Sequence, residues 1–415
     1  MESRTILHSD INSCYASIEL LHHPKLRGKP VAVGGNPENR HGIVLTADYI
    51  AKGFGVKTGM PLWQARQLCP EITFLPPRME LYLRFSKMAQ EIYSEYTDLQ
   101  QAFGIDESWL DVTASCSIKG EGKSIADEIR RRMKNELGIT VSIGVSWNKI
   151  FAKLGSDYKK PDAITEINKD NYKYIAWNLP VKDLLYVGKS TNRKLNVLGI
   201  RTIGELANTV PEVLKGQLGK MGLILHSFAN GWDDSPVRQE SYENNLKSVG
   251  NSTTTPRDLK TNRDIKIVIN ILSESVGTRL RENGFKCQGV ELSVRDNELF
   301  CFSRQRKLKN STNITNEIAE AAYQLFKENY NWEKPIRSIG VRGIDLIENC
   351  ICEQLDLFSE EKLRTKLMKT DKMVDSIRER FGFYSIQRGV MLQDKGLSSL
   401  NAKEEHIVHP HGYFE

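Results

Sequence analysis

Three acidic residues in the first third of the chain interrupt stretches that are otherwise apolar. Asp10 ends a β-branched run at residues 5–9, and Asp106 and Glu107 lie within a second run at residues 103–111. A carboxylate beside an apolar core is costly unless it is paired or bound to a metal ion. Oxygen ligands that converge from adjacent strands suit Mg²⁺, which takes its remaining ligands from water and substrate phosphates. The pattern therefore predicts neighbouring strands that hold magnesium.

A site of this kind supports phosphoryl transfer. Two divalent ions roughly 3.5–4 Å apart lower the pKa of an attacking hydroxyl and stabilise the leaving oxygen. The alternative is that the acids are turn residues or helix N-caps, which is the favoured interpretation of any single Asp. Asp111 illustrates that alternative, because its position before Val112 and Thr113 favours a strand-end hydrogen-bonding role over metal ligation.

The length of 415 residues predicts two to four domains of about 150 residues each. Residues 1–166 mix strand and helix patterns and are interpreted as an α+β domain. Strands are predicted at residues 5–9, 30–33, 43–46, 104–112 and 140–146, and helices at 61–68, 81–96, 124–137 and 148–158. A proline pair at residues 76–77 predicts the end of a small helical insert, placed at about residues 20–77.

The rest of the chain divides into a helical region, a second αβ region and a tail. Strand patterns nearly vanish over residues 169–232, which predicts a helical domain at 167–233, and a polar linker follows at 234–246. The next hundred residues, 247–347, show the order βαββαβ, typical of two helices on one face of a four-stranded sheet. These elements are predicted at 247–255, 264–283, 286–295, 298–308, 313–329 and 336–346. The tail, 348–415, carries one predicted helix at about 360–381.

Composition excludes a membrane protein, because 27% of the residues are charged and no apolar run approaches the ~20 residues that a span requires. The N-terminal pattern lacks an export signal, and seven scattered cysteines are interpreted as free thiols, so a cytoplasmic location is expected. Of the net charge of +6, +5 lies in residues 247–347, where 17 basic residues outnumber 12 acidic ones. That region therefore predicts a basic surface.

Four segments resemble, in order and spacing, the motifs of the Y-family lesion-bypass DNA polymerases. They are HSDINSCYASIE at 8–19, TADYIAKGFGVKTGM at 46–60, GIDESWLD at 104–111 and GVSWNKIFAK at 144–153. The resemblance extends to about residue 347. It implies an α+β multidomain fold with a polymerase-like palm of mixed sheet and helices, a small fingers insert, an all-helical thumb and a βαββαβ little-finger domain.

The resemblance implies roles for five palm residues. Asp10, Asp106 and Glu107 match the metal-binding carboxylates, and the backbone carbonyl of Ile11 matches a further metal ligand. Two Mg²⁺ ions would bridge an incoming dNTP and the primer 3′-hydroxyl. Tyr15 matches the aromatic steric gate, whose ring leaves no room for a ribose 2′-hydroxyl; a core tyrosine is the alternative.

The resemblance also implies a triphosphate site. Tyr49 and Lys52 fall where the family places a tyrosine and an arginine. Lys52 departs from the family, because a lysine supplies a point charge without the bidentate geometry of arginine. Lys160 matches the second basic contact, with its neighbour Lys159 as an alternative register. Solvated lysines are the competing interpretation for both positions.

Two residues of the insert, Ile43 and Leu45, lie where the family covers the templating base. Some relatives carry smaller side chains there. The hypothesis is therefore a tighter cover that disfavours bulky cross-linked template bases.

Candidate DNA contacts lie in the two later domains. Gly188 and Lys189 open a segment that resembles a thumb helix-hairpin-helix, in which backbone N–H groups bind phosphates. A plain turn between helices remains the alternative. Arg304 and Arg306 lie on one face of a predicted strand and Lys307 lies on the other; a basic strand alone is usually a solvated edge, which is the alternative. The positive charge of residues 247–347, together with the resemblance to the family's little-finger domain, favours a track for duplex DNA.

Residues 354–358 resemble the peptide by which bacterial polymerases bind the sliding clamp. Leu357 and Phe358 would fill an apolar pocket while Gln354 hydrogen-bonds at its rim, and Leu355 completes the motif. The alternative is a helix start whose leucines pack on the body of the protein.

Together these features predict an error-prone, template-directed DNA polymerase for translesion synthesis without a proofreading nuclease. The expected partners are primer–template DNA, dNTP and the bacterial clamp, and the expected state is a monomer. Two alternatives stay open: a catalytically inactive scaffold that binds clamp and DNA, and a palm-type nucleotidyl cyclase.

Overall fold

The computed structural model describes residues 4–35, 42–239, 246–349 and 361–400. These residues divide into two compact units, one comprising residues 4–35 and 43–239 and the other comprising 246–349 and 361–400. Among the helices of the described ranges, none combines the length and apolar character needed to cross a bilayer.

The first unit is built on two sheets and twelve helices within its described residues. Its strands are β1 (Ile6–Ile11), β2 (Val31–Gly34), β3 (Val44–Ala47), β4 (Thr73–Leu75), β5 (Gln100–Ala102), β6 (Glu107–Asp111), β7 (Val141–Ser146) and β8 (Ile164–Glu166). Its helices are α1 (Cys14–His22), α2 (Tyr49–Gly53), α3 (Leu62–Leu68), α4 (Met79–Ser94), α5 (Cys116–Lys119), α6 (Gly122–Glu136), α7 (Lys149–Tyr158), α8 (Tyr172–Ile175), α9 (Lys189–Val197), α10 (Ile203–Asn208), α11 (Pro211–Leu218) and α12 (Lys220–Ala229).

The central sheet has the order β5-β6-β1-β7-β8, so β1 is the middle strand. All residues of β1 are buried. Successive side chains of a strand point to opposite faces, so both faces of β1 are covered. Leu7 and Ile11 join the core formed with α4 and α6, whereas Ile6 packs with residues of α7. A strand buried on both sides is consistent with its continuous apolar sequence.

Helix α7 lies unusually close to β7 because Gly144 carries no side chain. A Cβ atom at this position would lie 1.8 Å from the carbonyl oxygen of Ala152. Asn148 caps the helix by accepting a hydrogen bond from the backbone N–H of Phe151 at 2.8 Å. The motif at 144–153 is therefore a strand-to-helix connection that fixes where the polar side chains of α7 lie.

The insert differs from the prediction of a small helical segment. It contains a three-stranded sheet of order β3-β2-β4, with β2 and β4 parallel. The predicted strands at 30–33 and 43–46 form this separate sheet, and β4 was not predicted. Its helices α2 and α3 contribute Ala51, Leu62 and Ala65 to a small core of their own.

Two further differences concern the central sheet. The strand predicted at 104–112 begins only at Glu107, because Gly104, with φ 84°, opens a turn in which Phe103 N–H donates to the Glu107 carbonyl at 2.8 Å. The short strands β5 and β8 were also missed. Residues 169–232 contain helices and turns, as predicted.

The second unit confirms the predicted βαββαβ order. It contains β9 (Ser248–Leu259), α13 (Asn262–Glu282), β10 (Phe285–Asp296), β11 (Cys301–Thr312), α14 (Thr315–Asn329) and β12 (Ile336–Glu348). The strand order is β11-β10-β12-β9, entirely antiparallel, with α13 and α14 packed on the apolar face.

The C-terminal segment is part of this unit. Helix α15 (Glu361–Phe381) confirms the predicted tail helix, and α16 (Lys395–Ser398) follows it. Met391 and Leu397 are almost fully buried in the core that contains α13 and α14. Residues 361–400 thus pack on the second unit.

Candidate active site

The register of the central sheet brings the three predicted carboxyl residues together. Asp10 on β1 lies directly opposite Glu107 on β6. The backbone N–H of Ile11 donates to the carbonyl oxygen of Asp106 at 2.9 Å. Residues more than ninety positions apart in the chain therefore meet at one end of two adjacent strands.

Burial and repulsion between carboxylates disfavour the charged forms of Asp10 and Asp106. Burial is the main cause that raises the pKa of Asp10 to about 6, with the neighbouring Glu107 acting in the same direction. Burial, followed by repulsion from Glu107 and Asp10, raises the pKa of Asp106 to about 7. The cluster therefore attracts cations.

Two lysines supply positive charge to this carboxylate cluster. Lys160 Nζ donates to Asp10 Oδ2 at 2.7 Å and lies 2.8 Å from Asp157 Oδ1. Lys153 Nζ donates to Glu107 Oε2 at 2.6 Å. Burial opposes the charge on both amines, yet the neighbouring carboxylates outweigh it and raise the pKa of each lysine.

Sequence reasoning missed the roles of Lys153, Asp157 and His8. The spacing of Lys153 and Asp157 on α7, four residues apart, was the available signal. His8 is fully buried, and its Nδ1 lies 2.8 Å from Ser156 Oγ while its Nε2 lies 3.4 Å from Glu107 Oε2. Burial lowers the pKa of His8 well below its usual value, so a neutral imidazole contacts Glu107.

The donor set fits a hard divalent cation. The carboxyl groups of Asp10, Asp106 and Glu107 offer the oxygen ligands that Mg²⁺ prefers. Within the described ranges, no three His, Cys, Asp or Glu side chains are already arranged around one point as ligands of a single ion. In this structure, Lys160 and Lys153 supply the positive charge beside the carboxylates of Asp10 and Glu107.

A second polar cluster adjoins the carboxylates. Lys52 Nζ donates to Ser13 Oγ at 2.8 Å and lies 4.6 Å from the centre of the Tyr49 ring. Burial, followed by repulsion from Lys160, lowers the pKa of Lys52. The buried Tyr49 hydroxyl lies near Asn12 and Ser13 but forms no hydrogen bond with the described residues. Two repelling amines and an unpartnered hydroxyl form a site suited to an anion.

Tyr15 is held by stacking. Its ring lies parallel to that of Tyr82, with the ring centres 4.4 Å apart and an interplanar angle of 9°. Tyr82 is fully buried and donates its hydroxyl proton to Glu19 Oε1 at 2.7 Å. Arg78 forms a two-pronged ion pair with the same carboxylate. The half-buried Tyr15 ring therefore packs on a tyrosine that is itself held by hydrogen bonds and an ion pair.

The two residues expected to cover the template differ in exposure. Ile43 is 44% exposed and forms a single β-bridge with Pro61. Leu45, on β3, is partly buried against the core that Tyr15 also contacts. Asp111 accepts hydrogen bonds from the backbone N–H and hydroxyl of Thr113, which confirms its strand-end role.

The candidate DNA contacts are placed on elements of both units. Gly188 is the N-cap of α9, and Lys189 is its exposed first residue. On the edge strand β11, Arg306 pairs with Glu328 of α14, so Arg304 and Arg306 share the helix-covered face. Lys307 lies on the opposite face, as the alternation predicted. The proposed clamp residues, 354–358, lie outside the described residues.

Comparison with known families decides the assignment. The impB/mucB/samB family matches residues 9–157, and the C-terminal domain of that family matches residues 246–357. The thumb domain of DNA polymerase iota matches residues 182–233. The chain belongs to the Y-family DNA polymerases. It is a DNA-directed DNA polymerase of the translesion type, as the four sequence motifs predicted.

Similar proteins span nearly the whole chain. A DNA polymerase IV of Acetivibrio thermocellus is 52% identical over 96% of this chain and 100% of its own length. DNA polymerase IV 1 of Bacillus subtilis is 39% identical over 94% of each chain. A solved Y-family DNA polymerase chimera matches with a TM-score of 0.72 and 25% identity, covering 83% of this chain and 100% of its own. The predicted α+β polymerase fold is thereby confirmed.

Proposed function

We propose that Asp10, Asp106 and Glu107, with the backbone carbonyl of Ile11, hold two Mg²⁺ ions at which a dNMP is added to a primer 3′-hydroxyl. The observation that carries this proposal is the register of β1 and β6, which sets Asp10 opposite Glu107 and links Ile11 to Asp106. Bound Mg²⁺ would lower the pKa of the attacking hydroxyl and offset the charge of the phosphates.

The protein side chains position the substrate around this centre. Tyr49, Lys52 and Lys160 bind the triphosphate, because an unpartnered hydroxyl lies beside two amines close enough to repel each other. An anion between the amines removes that repulsion. The same amine of Lys160 bonds Asp10, so it couples triphosphate binding to the charge of the carboxylate cluster.

Tyr15 excludes ribonucleotides in this proposal. Its ring cannot retreat without losing the stack on Tyr82, which is itself fixed by Glu19 and Arg78. A fixed ring leaves no room for an additional 2′-hydroxyl. Ile43 and Leu45 cover the templating base and limit which damaged bases are accepted.

The inactive-scaffold alternative predicts loss of the carboxylates, yet all three are present where β1 ends and β6 begins. The cyclase alternative does not account for the C-terminal family domain at residues 246–357. We also propose that the chain acts as a cytoplasmic monomer without proofreading. The sliding clamp is bound by Gln354, Leu355, Leu357 and Phe358. This part of the proposal rests on their sequence match alone.

Primer extension tests the proposal. Purified protein is assayed with primer–template DNA, dNTPs and Mg²⁺, and compared with Asp106→Ala and with Asp111→Ala, a control acid at the far end of β6. Extension is expected for the native protein and the control and not for Asp106→Ala. Equal extension by all three proteins would assign the activity to a contaminant or the chemistry to another site.

A further inference from the structure

Helix α15 is fixed on the second unit by its acidic and arginine side chains. Arg281 of α13 pairs with Asp375 at 2.6 Å and with Asp371 at 3.4 Å. Asp371 also accepts a hydrogen bond at 2.7 Å from the backbone N–H of Thr315, at the start of α14. Arg378 pairs with the buried Glu274 at 2.9 Å. These partners lie on α13 and α14, so α15 has one defined inner face.

This docking separates the charges of α15. Asp371 and Asp375 lie on the inner face, where both pair with Arg281. The outer face presents exposed basic residues, for which no ion pair occurs within the described ranges: Lys362, Lys366, Lys369, Lys372 and Arg380. One exposed acid of the helix, Glu379, accompanies them among the described side chains.

Helical geometry aligns three of these lysines. Lys362, Lys366 and Lys369 are spaced by four and three residues, so they lie along one side of α15. Such close like charges destabilise a helix. Here the ion pairs between α15 and α13 hold the helix in place despite that repulsion. A row of amines on a docked helix is complementary to the negatively charged phosphates of DNA.

We propose that the outer face of α15 is a DNA-backbone contact, separate from the active site and from the edge strand β11. The proposal goes beyond the polymerase chemistry, since it assigns a role to a C-terminal helix outside residues 9–157, 182–233 and 246–357, which the family comparisons match. It commits to the phosphates of the enzyme's own DNA substrate. An acidic protein partner is the competing occupant.

The test measures binding of the full chain to labelled primer–template DNA by fluorescence anisotropy over a series of salt concentrations. The variant Lys362→Gln/Lys366→Gln/Lys369→Gln removes three outer charges. A matched control, Lys25→Gln/Lys87→Gln/Lys123→Gln, removes three exposed charges from the first unit. A third variant replaces the same three α15 lysines by arginine and keeps the charge.

Each phosphate contact contributes about 0.9 to the slope of log affinity against log salt. We expect the α15 variant to lower that slope by roughly 2 to 3, and the arginine variant and the control to retain the native slope. Extension at saturating DNA is expected to stay normal in all three, which distinguishes this proposal from failure of the active-site assignment. An unchanged slope, or equal losses in variant and control, would overturn the DNA contact and leave the acidic partner as the alternative.

Discussion

Lys160 places its ammonium group 2.7 Å from Oδ2 of Asp10 although 150 residues separate them in the sequence. The same amine contacts Asp157 on α7. One lysine thus joins the carboxylate of the middle strand to the helix that packs on the sheet. Its charge serves the carboxylate cluster and the proposed triphosphate site together.

Lys160→Gln is expected to lower kcat/KM for dNTP by about 10- to 150-fold, because a charge-assisted contact contributes about 1.5–3 kcal/mol. Lys159→Gln is the matched control, since Lys159 is exposed and lies beside the Tyr158 ring. Single-nucleotide insertion kinetics measure both. Similar losses in the two variants would show that the register of the basic contact was assigned wrongly.

Asp106→Asn is expected to remove most of the stabilisation that Mg²⁺ gives to the native protein. The substitution also relieves the repulsion from Asp10 and Glu107 that raises the pKa of Asp106. Thermal unfolding with and without Mg²⁺ measures both effects. The variant is expected to melt at or above the native temperature without Mg²⁺ and to gain little on its addition. A native-sized gain would contradict metal binding by Asp106.

Tyr15→Ala is expected to reduce discrimination against ribonucleotides by roughly tenfold or more, because the ring no longer blocks a 2′-hydroxyl. Tyr82→Leu is expected to give a smaller reduction, since it keeps the Tyr15 ring and removes the 4.4 Å stack and the hydroxyl bond to Glu19 that support it. The ratio of kcat/KM for dNTP and the matching rNTP is the readout. If Tyr15→Ala left this ratio unchanged, another residue would be the gate.

Lys149 gives a pH dependence of stability. Its amine is buried, donates to Gln101 Oε1 at 2.7 Å, and has a pKa lowered to about 8 chiefly by burial. The unfolded chain, with a lysine pKa of about 10.4, binds more protons between about pH 8 and 10.4, so stability should rise with pH there. The increment is on the order of 2 kcal/mol. Urea unfolding should show it in the native protein and not in Lys149→Met; parallel curves would refute it.

Glu274→Gln is expected to destabilise the second unit by about 2–4 kcal/mol, because it removes the buried counter-charge of Arg378 and one of the two carboxylates that Arg388 contacts, the other being Asp371. Glu328→Gln removes the exposed partner of Arg306 and should cost less than about 1 kcal/mol. Urea unfolding of the full chain compares the two. Equal small effects would mean that the ion pairs of α15 contribute little to its docking.

Much of the architecture could be predicted from local pattern. The βαββαβ order of the second unit and the helical nature of residues 169–232 follow from the periodicity of apolar residues, which neighbouring positions encode. The insert could not be predicted in the same way. The strands at 30–33 and 43–46 were recognised as strands, but the pairing of β2 with β3 on one side and with β4 on the other depends on contacts between distant residues.

The candidate site likewise contains residues that the sequence could identify and residues that it could not. Asp10, Asp106 and Glu107 were identifiable because acids are conspicuous in apolar runs. Lys153 and His8 were not, because a lysine on a helix and a histidine in a strand have many ordinary roles. Only the close packing of α7 on Gly144 brings Lys153 to Glu107.

By itself, the sequence determined which residues carry charge, which segments favour helix or strand, and which motifs identify the family. Tertiary structure alone decided which charges meet. It set Asp10 against Glu107 and Lys160, and it turned Asp371 and Asp375 of α15 inward and the lysines of that helix outward. The reason is physical: secondary-structure propensity acts between near neighbours in the chain, whereas the electrostatic energy of a site depends on distances that only folding establishes.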